Sequence, residues 1–294
     1  MTAEREEFVL AEDGTRLFVR SRTDVAAPKM TAFLSDGILC DGFIWKYLFD
    51  ELAKRMRVVH WNYGGHGRSA SPVDPNHFDM PSLARDLTKI REHFEDPPTL
   101  LVAHSMGCQV ALENFHLRPK NVRGIILLCG SFGNLTSTFR GLPVLDMVLP
   151  RIMKIANDSP HLIRALWTRF PVDISLKFAM RFGEINRDYI RLEDFRPYFE
   201  HMKGVDFPLF LKMLRAAGEH TAGGYLGDID VPVLIVGGER DTFTPPFLSH
   251  AMAEAIPGAE LFVVEGGTHV TPIEQPGLVN EKITAFLDRI EARS

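Results

Sequence analysis

Short runs of apolar residues alternate with helical patterns along about the first 130 residues of the chain. A typical helical pattern is PSLARDLTKIREHF, which begins at Pro81 and repeats apolar residues at spacings of 4, 3 and 4. Apolar runs of this kind are typical of strands that are buried on both faces of a parallel sheet. The runs are MTAFLS (30–35), RVVHW (57–61), TLLVA (99–103) and VRGIILLC (122–129). In front of them, the turn signal Asp13-Gly14 between EEFVL and TRLFVRSR predicts a hairpin.

The alternation stops near residue 133, and residues 134–229 carry helical patterns such as LPVLDMVLPRIMKI and LFLKMLRAAG without a convincing buried strand. It resumes with VPVLIVGG (231–238) and AELFVVEGG (259–267). We therefore expect an α/β fold with a mostly parallel central sheet of about eight strands flanked by helices. Residues 1–133 and 230–294 would form the core domain, and residues 134–229 an inserted helical cap over the ligand-binding edge of the sheet.

Composition and charge exclude several classes of function. The 38 acidic and 33 basic residues give a formal net charge of −5, without the basic stripe that nucleic-acid binding normally requires. The N-terminal MTAEREEFVL lacks the apolar region of a signal peptide, and no run of about 18 apolar residues predicts a transmembrane helix. Cys40, Cys108 and Cys129 lie far apart without metal-ligand spacing, which is typical of free thiols in a reducing compartment. These features predict a cytoplasmic protein without a metal ion, cofactor or nucleic-acid partner.

Ser105, in the sequence LLVAHSMG, lies between a predicted strand and a predicted helix. A sharp turn at this point would strain the backbone of the serine and lift its hydroxyl above the sheet. The crowded neighbours at −2 and +2 must be small, and Ala103 and Gly107 meet that requirement. The N–H of Met106 would open the helix and could stabilise an oxyanion. The pattern alone is weak, because a serine between a strand and a helix is more often a simple N-cap.

Two further residues support a catalytic role for this serine. A nucleophilic serine needs a base, and the base needs a carboxylate that orients it. Asp241 follows the strand VPVLIVGG, and His269 follows the strand ELFVVE. Both would lie at the carboxyl ends of parallel strands, at the same edge as Ser105. The sequence therefore predicts a Ser105–His269–Asp241 triad.

The chain resembles the α/β-hydrolase family over nearly its whole length outside the predicted cap. The likeness rests on AHSMG at Ser105, GGERDTFTP at Asp241, GGTHVTPIEQP at His269 and the loop NYGGHGRS (62–69). The loop SDGIL (35–39) matches the place where the family supplies its second oxyanion donor, which implies the N–H of Ile38. Within the family, this combination most resembles a capped bacterial esterase or lipase.

Other acids could orient His269 in place of Asp241. The sequence CGSFGN follows the preceding strand, where some members of the family carry this acid, and it contains no carboxylate. Asp241 therefore remains the preferred partner of His269. The competing residues are Asp228, Asp230, Glu239 and Glu265.

Several polar residues near these motifs have a structural interpretation. Asp36 stands where the family often has histidine, so its carboxylate either repels an oxyanion or points away and holds the loop; we favour the second. His104 should point away from the serine hydroxyl, His66 should order its loop, and His60 should pack within a strand. Cys108 and Cys129 are interpreted as packing residues, whereas Cys40 stays open as an alternative nucleophile.

The predicted cap is rich in phenylalanine and methionine. Most of these side chains would form the interior of the cap, and a subset would line an apolar substrate tunnel. The residues are Phe139, Phe170, Phe178, Phe182, Phe195, Phe199, Phe207, Phe210, Met147, Met153, Met180, Met202 and Met213. This composition favours a small-molecule ester with an apolar acyl or aromatic part over a charged substrate.

The predicted activity is hydrolysis of carboxylic esters through an acyl-enzyme. A carbon–carbon bond hydrolase, a lactonase or a cofactor-free perhydrolase would use the same three residues and stays an alternative. Dehalogenases and epoxide hydrolases of the family need a carboxylate nucleophile, which Ser105 does not provide. A receptor that only binds a ligand in the capped site is the non-enzymatic alternative. The natural substrate and the oligomeric state do not follow from the sequence.

Overall fold

Eight strands form one sheet in the computed structural model, which describes residues 4–136, 144–169, 171–181 and 184–292. Their order across the sheet is β1-β2-β4-β3-β5-β6-β7-β8. Strand β2 runs antiparallel to both of its neighbours, and all other neighbouring strands are parallel. The mostly parallel sheet of about eight strands is thus confirmed. The strands are β1 (Arg5–Leu10), β2 (Arg16–Arg22), β3 (Thr31–Ser35), β4 (Arg57–Trp61), β5 (Thr99–His104), β6 (Val122–Leu128), β7 (Val233–Gly238) and β8 (Glu260–Val264).

Flanking helices cover both faces of the sheet, and two short 3-10 helices lie at Phe43–Trp45 and Leu226–Asp228. Apolar residues of α2, α3 and α9 belong to the core on one face, and those of α1 and α11 belong to the core on the other. The helices are α1 (Leu48–Ala53), α2 (Met80–His93), α3 (Met106–Leu117), α4 (Val144–Asp158), α5 (Pro160–Arg169), α6 (Val172–Arg181), α7 (Leu192–Met202), α8 (Phe207–Glu219), α9 (Pro246–Ala255), α10 (Thr271–Glu274) and α11 (Pro276–Glu291).

The apolar runs in the sequence reflect strands that are buried on both faces. In β5, Leu100 and Val102 pack into one core, and Leu101 and Ala103 pack into the other. Side chains alternate between the two faces of a strand, so a strand covered on both sides must be apolar at consecutive positions. All six residues of β5 are buried.

Helices α4–α8 lie in the chain between β6 and β7, and we call them the inserted helices. Within the described residues between these two strands, the only β pairing is a single bridge between Gly133 and Thr221. Leu149 of α4 and Leu211 of α8 form a small apolar cluster of their own. On the side that faces the sheet, Met213 of α8 joins one core and Phe195 of α7 joins the other. The inserted helices are therefore anchored to both cores.

The sequence IWKYLFDELAKR (44–55) has helical spacing and predicts one helix, but the structure places a 3-10 turn at Phe43–Trp45 before the shorter helix α1. Two side-chain contacts fix this turn. The indole N–H of Trp45 donates to Asp36, with 2.6 Å between the heavy atoms, and the Phe43 ring lies 5.2 Å from that of Tyr198 in α7. Tertiary contacts therefore override the local helical preference.

We expect Gly107→Ala to destabilise the fold strongly. A Cβ atom at position 107 would lie 2.3 Å from the carbonyl oxygen of Ser35 and 2.6 Å from that of Asp36. Both neighbours are backbone atoms, so β3 and α3 would have to separate, at a cost of roughly 1–3 kcal/mol or more. Urea unfolding measures the loss. The matched control is Gly277→Ala in α11, where the new Cβ atom meets no heavy atom within 4 Å. Equal stabilities of the two variants would contradict this close approach.

Candidate active site

Ser105 occupies a strained turn between β5 and α3. Its φ of 56° and ψ of −124° lie outside the ordinary regions for a residue with a side chain. The backbone around it is fixed, since its N–H donates to the carbonyl of Leu128 over 3.1 Å and its carbonyl accepts from the N–H of Cys108 over 3.0 Å. Such strain persists only where the surrounding structure enforces it, and it is concentrated at functional sites.

The structure brings Ser105, His269 and Asp241 into one chain of hydrogen bonds. The Ser105 Oγ lies 2.9 Å from His269 Nε2. On the other side of the ring, His269 Nδ1 lies 2.9 Å from Asp241 Oδ2 and 3.1 Å from Oδ1. Ser105 is 5 % exposed and Asp241 is 3 % exposed, so little water competes for these contacts.

The loop after β7 holds the Asp241 carboxylate in place. Its Oδ1 accepts from the backbone N–H groups of Phe243 (2.9 Å) and Thr244 (2.8 Å), and its Oδ2 accepts from the Thr244 hydroxyl (2.7 Å). Sequence reasoning missed Thr244, whose Oγ1 also lies 3.3 Å from His269 Nδ1. An Asp side chain commonly accepts from backbone N–H groups two or three residues further on, and this local pattern could have indicated Thr244.

The four competing acids all lie within the described residues, and none of them forms a hydrogen bond or ion pair with His269. Glu239 instead accepts from the N–H of Gly266 over 2.9 Å, and Glu265 is exposed. Asp228 and Asp230 lie before β7, whereas Asp241 follows its carboxyl end. Among the described residues, Asp241 is the carboxylate that pairs with His269.

The predicted oxyanion donors lie beside the serine. A Cβ atom at Gly37 would lie 2.9 Å from Ser105 Cβ and 3.4 Å from its Oγ, so the loop that carries Ile38 packs directly against the hydroxyl. Met106 begins α3 immediately after the serine. Within the described part of the chain, neither the Ile38 nor the Met106 N–H donates a hydrogen bond. Both groups are thus available to a ligand.

The Asp36 carboxylate is directed into the core rather than towards the serine. It accepts from the indole of Trp45 over 2.6 Å and pairs with His60 Nε2 over 2.8 Å, while its main-chain oxygen accepts from the Tyr63 hydroxyl over 2.7 Å. Arg20 Nε donates to His60 Nδ1 over 3.3 Å, so His60 carries its proton on Nε2 and donates it to Asp36. Sequence reasoning missed this specific partnership of His60.

His104 and His66 are buried and neutral. Burial lowers the pKa of His104 to about 3 and that of His66 to about 4. His104 Nε2 lies 2.9 Å from the main-chain oxygen of His269, so the ring supports His269 through its backbone. His66 Nδ1 lies 3.2 Å from the main-chain oxygen of Gly64.

All three cysteines are free and buried. Burial raises the pKa of the Cys40, Cys108 and Cys129 thiols, well above the ordinary value for Cys40 and Cys129. Cys40 lines the same cavity as Ser105 but stays a protonated thiol at neutral pH, and thiols are weak nucleophiles compared with thiolates. This electrostatic setting argues against Cys40 as the alternative nucleophile.

A cavity of about 850 Å³ lies between Ser105, His269 and the inserted helices. This volume lies in the upper part of the range of roughly 300–1,000 Å³ that is usual for ligand sites. Polar side chains in the lining include Glu184, whose Oε2 accepts from the Thr242 hydroxyl over 2.6 Å. Most of the wall is apolar: Ile38, Leu39, Phe43, Leu135, Ile163, Leu166, Trp167, Ala179, Phe195, Tyr198, Phe199, Met202, Phe207, Phe210, Leu214, Phe243 and Val270.

Part of the phenylalanine and methionine set lines this cavity, namely Phe195, Phe199, Phe207, Phe210 and Met202. Among the others, Met213 is fully buried in a core cluster, Met153 packs against the cluster of the inserted helices, and Met147 is 70 % exposed. Met180 packs against the core that also contains α1 and α11. Phe139, Phe170 and Phe182 lie outside the described residues, as does the side chain of Phe178.

Two kinds of feature, a metal cluster and a membrane-spanning helix, are absent from the residues that the structure describes. No cluster of three or more His, Cys, Asp or Glu side chains there could hold a metal ion. In those ranges, too, every helix is too short or too polar to cross a membrane.

The fold and the site define a known class of protein. Residues 37–276 match the family model for the alpha/beta hydrolase fold, so the chain belongs to the α/β-hydrolase family. It is 24 % identical over 263 residues to a putative carbamate hydrolase, RutD, of Azorhizobium caulinodans, covering 88 % of this chain and 91 % of the relative.

Solved structures show the same fold at low sequence identity. An esterase from Exiguobacterium antarcticum superposes with a TM-score of 0.77 at 19 % identity, over 97 % of this chain and 100 % of the other. The enol-lactonase from Burkholderia xenovorans LB400 gives a TM-score of 0.75 at 18 % identity, over 96 % of this chain and 100 % of the other. At these identities the likeness concerns the fold.

Acidification should destabilise the protein through its buried histidines. The folded state keeps His66 neutral down to a pKa of about 4, whereas in the unfolded chain the histidine takes up the proton near its ordinary pKa of 6.5. The contribution of His66 to the free energy of unfolding is therefore fully present above about pH 6.5 and is lost as the pH falls towards 4. At pH 4.5 the loss from this residue is about 2–3 kcal/mol.

Urea unfolding of wild type and His66→Asn at pH 7 and pH 4.5 measures this effect. The asparagine amide can still donate to Gly64 but does not titrate, so the variant should lose about 2–3 kcal/mol less than wild type on acidification. His250→Asn, at an exposed position, is the matched control. An unchanged pH dependence in His66→Asn would contradict the neutral buried state of His66.

Proposed function

We propose that the protein is a serine hydrolase that cleaves carboxylic esters of small or medium, largely apolar substrates through an acyl-enzyme. The observation that carries this proposal is the hydrogen-bond chain from Ser105 Oγ through His269 to Asp241 at the wall of an apolar cavity. A serine, a base and an orienting carboxylate in this order form the arrangement that activates a hydroxyl for acyl transfer.

In the first half-reaction, His269 Nε2 takes the proton of the Ser105 hydroxyl while Oγ attacks the ester carbonyl carbon. The carbonyl oxygen becomes an oxyanion, which the free N–H groups of Ile38 and Met106 would bind. His269 then returns its proton to the leaving alcohol oxygen, and the carbon–oxygen bond breaks. In the second half-reaction, His269 deprotonates a water molecule that attacks the acyl-enzyme, and the released serine recovers its proton.

Asp241 would keep His269 in the tautomer that this cycle requires. Its carboxylate accepts the Nδ1 proton, which leaves Nε2 free to accept from Ser105. When His269 becomes charged, the nearby carboxylate stabilises the imidazolium. The buried setting of Asp241 strengthens this interaction because water does not screen it.

The inserted helices would act as the cap of the site, within the predicted limits of residues 134–229. They supply cavity-lining residues from α5, α6, α7 and α8, including Trp167, Phe199 and Phe210. An apolar wall of this kind favours an acyl or aromatic group and disfavours a charge, which would lose its hydration. A cytoplasmic location stays a prediction alongside this function.

Ser105→Ala should abolish ester hydrolysis. Removing the nucleophile of such a triad costs on the order of 10⁶ in kcat, because the three residues act as a unit. Hydrolysis of nitrophenyl esters measures the rate, and a fluorophosphonate probe followed by peptide mass spectrometry identifies the labelled residue. Ser71→Ala, at an exposed serine, is the control and should keep both activity and labelling. Retention of more than a few per cent of activity in Ser105→Ala would exclude Ser105 as the nucleophile.

Acyl chain length should raise kcat/KM from acetate towards medium-chain esters. Each methylene group buried in the cavity contributes about 0.8 kcal/mol, or roughly fourfold in kcat/KM, until the wall is reached. A nitrophenyl ester series from two to twelve carbons tests this expectation, with an ester that ends in a carboxylate as the charged control. A maximum at acetate, or equal cleavage of the charged ester, would refute the apolar acyl site. Lactones and β-diketones in the same panel separate ester hydrolysis from the alternatives that share the triad.

A further inference from the structure

Glu274 lies five residues after His269 in GGTHVTPIEQP, and the proposed mechanism does not use it. We propose that Glu274 is a positioning residue whose buried carboxylate holds the loop that carries His269 and joins this loop to the cavity-lining segment at Asn186. The inference rests on the proposed function, because it concerns the placement of the base in that reaction.

The Glu274 carboxylate accepts three hydrogen bonds. Its Oε1 accepts from the backbone N–H of Asn186 (2.6 Å) and from the Thr268 hydroxyl (2.9 Å). Its Oε2 accepts from the backbone N–H of Thr268 (2.9 Å). Glu274 is 5 % exposed, so these donors replace the water that the carboxylate would otherwise bind.

These bonds act on the residue next to the base. Thr268 directly precedes His269, and Glu274 binds both its backbone N–H and its hydroxyl. On the other side, His104 binds the main-chain oxygen of His269. The two contacts fix the backbone on both sides of the imidazole, whose Nε2 must stay within 2.9 Å of Ser105 Oγ. A displacement of about 1 Å in such a group can cost about 100-fold in rate.

The same carboxylate connects the loop to the wall of the cavity. Asn186 lies two positions after Glu184, which lines the cavity. The side-chain amide of Asn186 also donates to the carbonyl of Gly266 over 2.7 Å. Asn186 therefore contacts the His269 loop at two points, once through Glu274 and once directly. Both contacts hold the segment before α7 against the loop that carries His269.

Only a carboxylate matches this set of donors. A glutamine at position 274 would have one oxygen and one NH₂ group. If the oxygen faces Thr268 N–H, the NH₂ group opposes Asn186 N–H; in the flipped orientation it opposes Thr268 N–H. Either way one buried backbone donor loses its acceptor, which destabilises the loop in its present position and shifts it.

The test compares Glu274→Gln with Glu265→Gln, a matched change at an exposed acid of the same loop. Ester kinetics and the rate of fluorophosphonate labelling are measured together with thermal unfolding of each variant. Glu274→Gln should lower kcat by about 10- to 100-fold with KM within about twofold of wild type, and labelling should slow in parallel. Glu265→Gln should match wild type in all three measurements. This split between kcat and KM distinguishes misplacement of the base from a general loss of folded protein.

A folded Glu274→Gln variant with the kcat and labelling rate of Glu265→Gln would overturn the inference and leave the proposed function intact. If Glu274→Gln does not fold, Thr268→Val decides, because it removes one of the three donors and keeps the shape of the side chain. A lower kcat at constant KM in Thr268→Val supports the positioning role, and an unchanged kcat overturns it. Absence of labelling and ester cleavage in wild type would instead refute the proposed function, and the inference with it.

Discussion

The close approach of α3 to the end of β3 is the constraint on which the site depends. At Gly107 the helix backbone comes so near the carbonyl groups of Ser35 and Asp36 that no side chain fits between them. This contact fixes the start of α3, and with it the strained turn that presents Ser105. It also places the loop of Gly37 and Ile38 against the same serine. One backbone contact thus sets both the position of the hydroxyl and that of its predicted oxyanion donors.

The remaining partners reach the serine because the strands that precede them are parallel neighbours. β5, β6, β7 and β8 lie side by side in the sheet, so the loops that follow β5, β7 and β8 emerge at the same edge. Ser105, Asp241 and His269 stand on these three loops. The apolar cores on both faces keep the strands in register, and the inserted helices close the space above the edge with apolar side chains. The parallel strands position the polar residues of the site, while the inserted helices determine much of the shape of the cavity.

The sequence was sufficient to predict the sheet, because apolar runs and amphipathic helices report burial directly. It also indicated the residues that meet at the site, since each follows a predicted strand of the same parallel set. The pairing of His60 with Asp36 could not be predicted, because it depends on the distance between strand β4 and the loop after β3 and on the tautomer that Arg20 imposes. The short helix α10 and the contacts of Glu274 were hidden for a similar reason. The contacts of Glu274 depend on donors from Asn186 and Thr268, which are far apart in the chain. Local pattern likewise failed at residues 44–55, where Trp45 is held by Asp36.

Two hydrogen bonds connect Arg20 through His60 to Asp36, so a substitution at one of these positions affects the other two. Arg20 belongs to β2 in the N-terminal hairpin, whereas Asp36 adjoins the loop that packs against Ser105. Hydrogen bonds therefore connect an outer strand of the sheet to the loop that packs against Ser105. Exchange of Asp36 alone would leave a buried imidazole and an indole N–H without their acceptor, so these positions must evolve together. The hairpin thus reaches the loop beside Ser105 through two hydrogen bonds, although no hairpin side chain lines the main cavity.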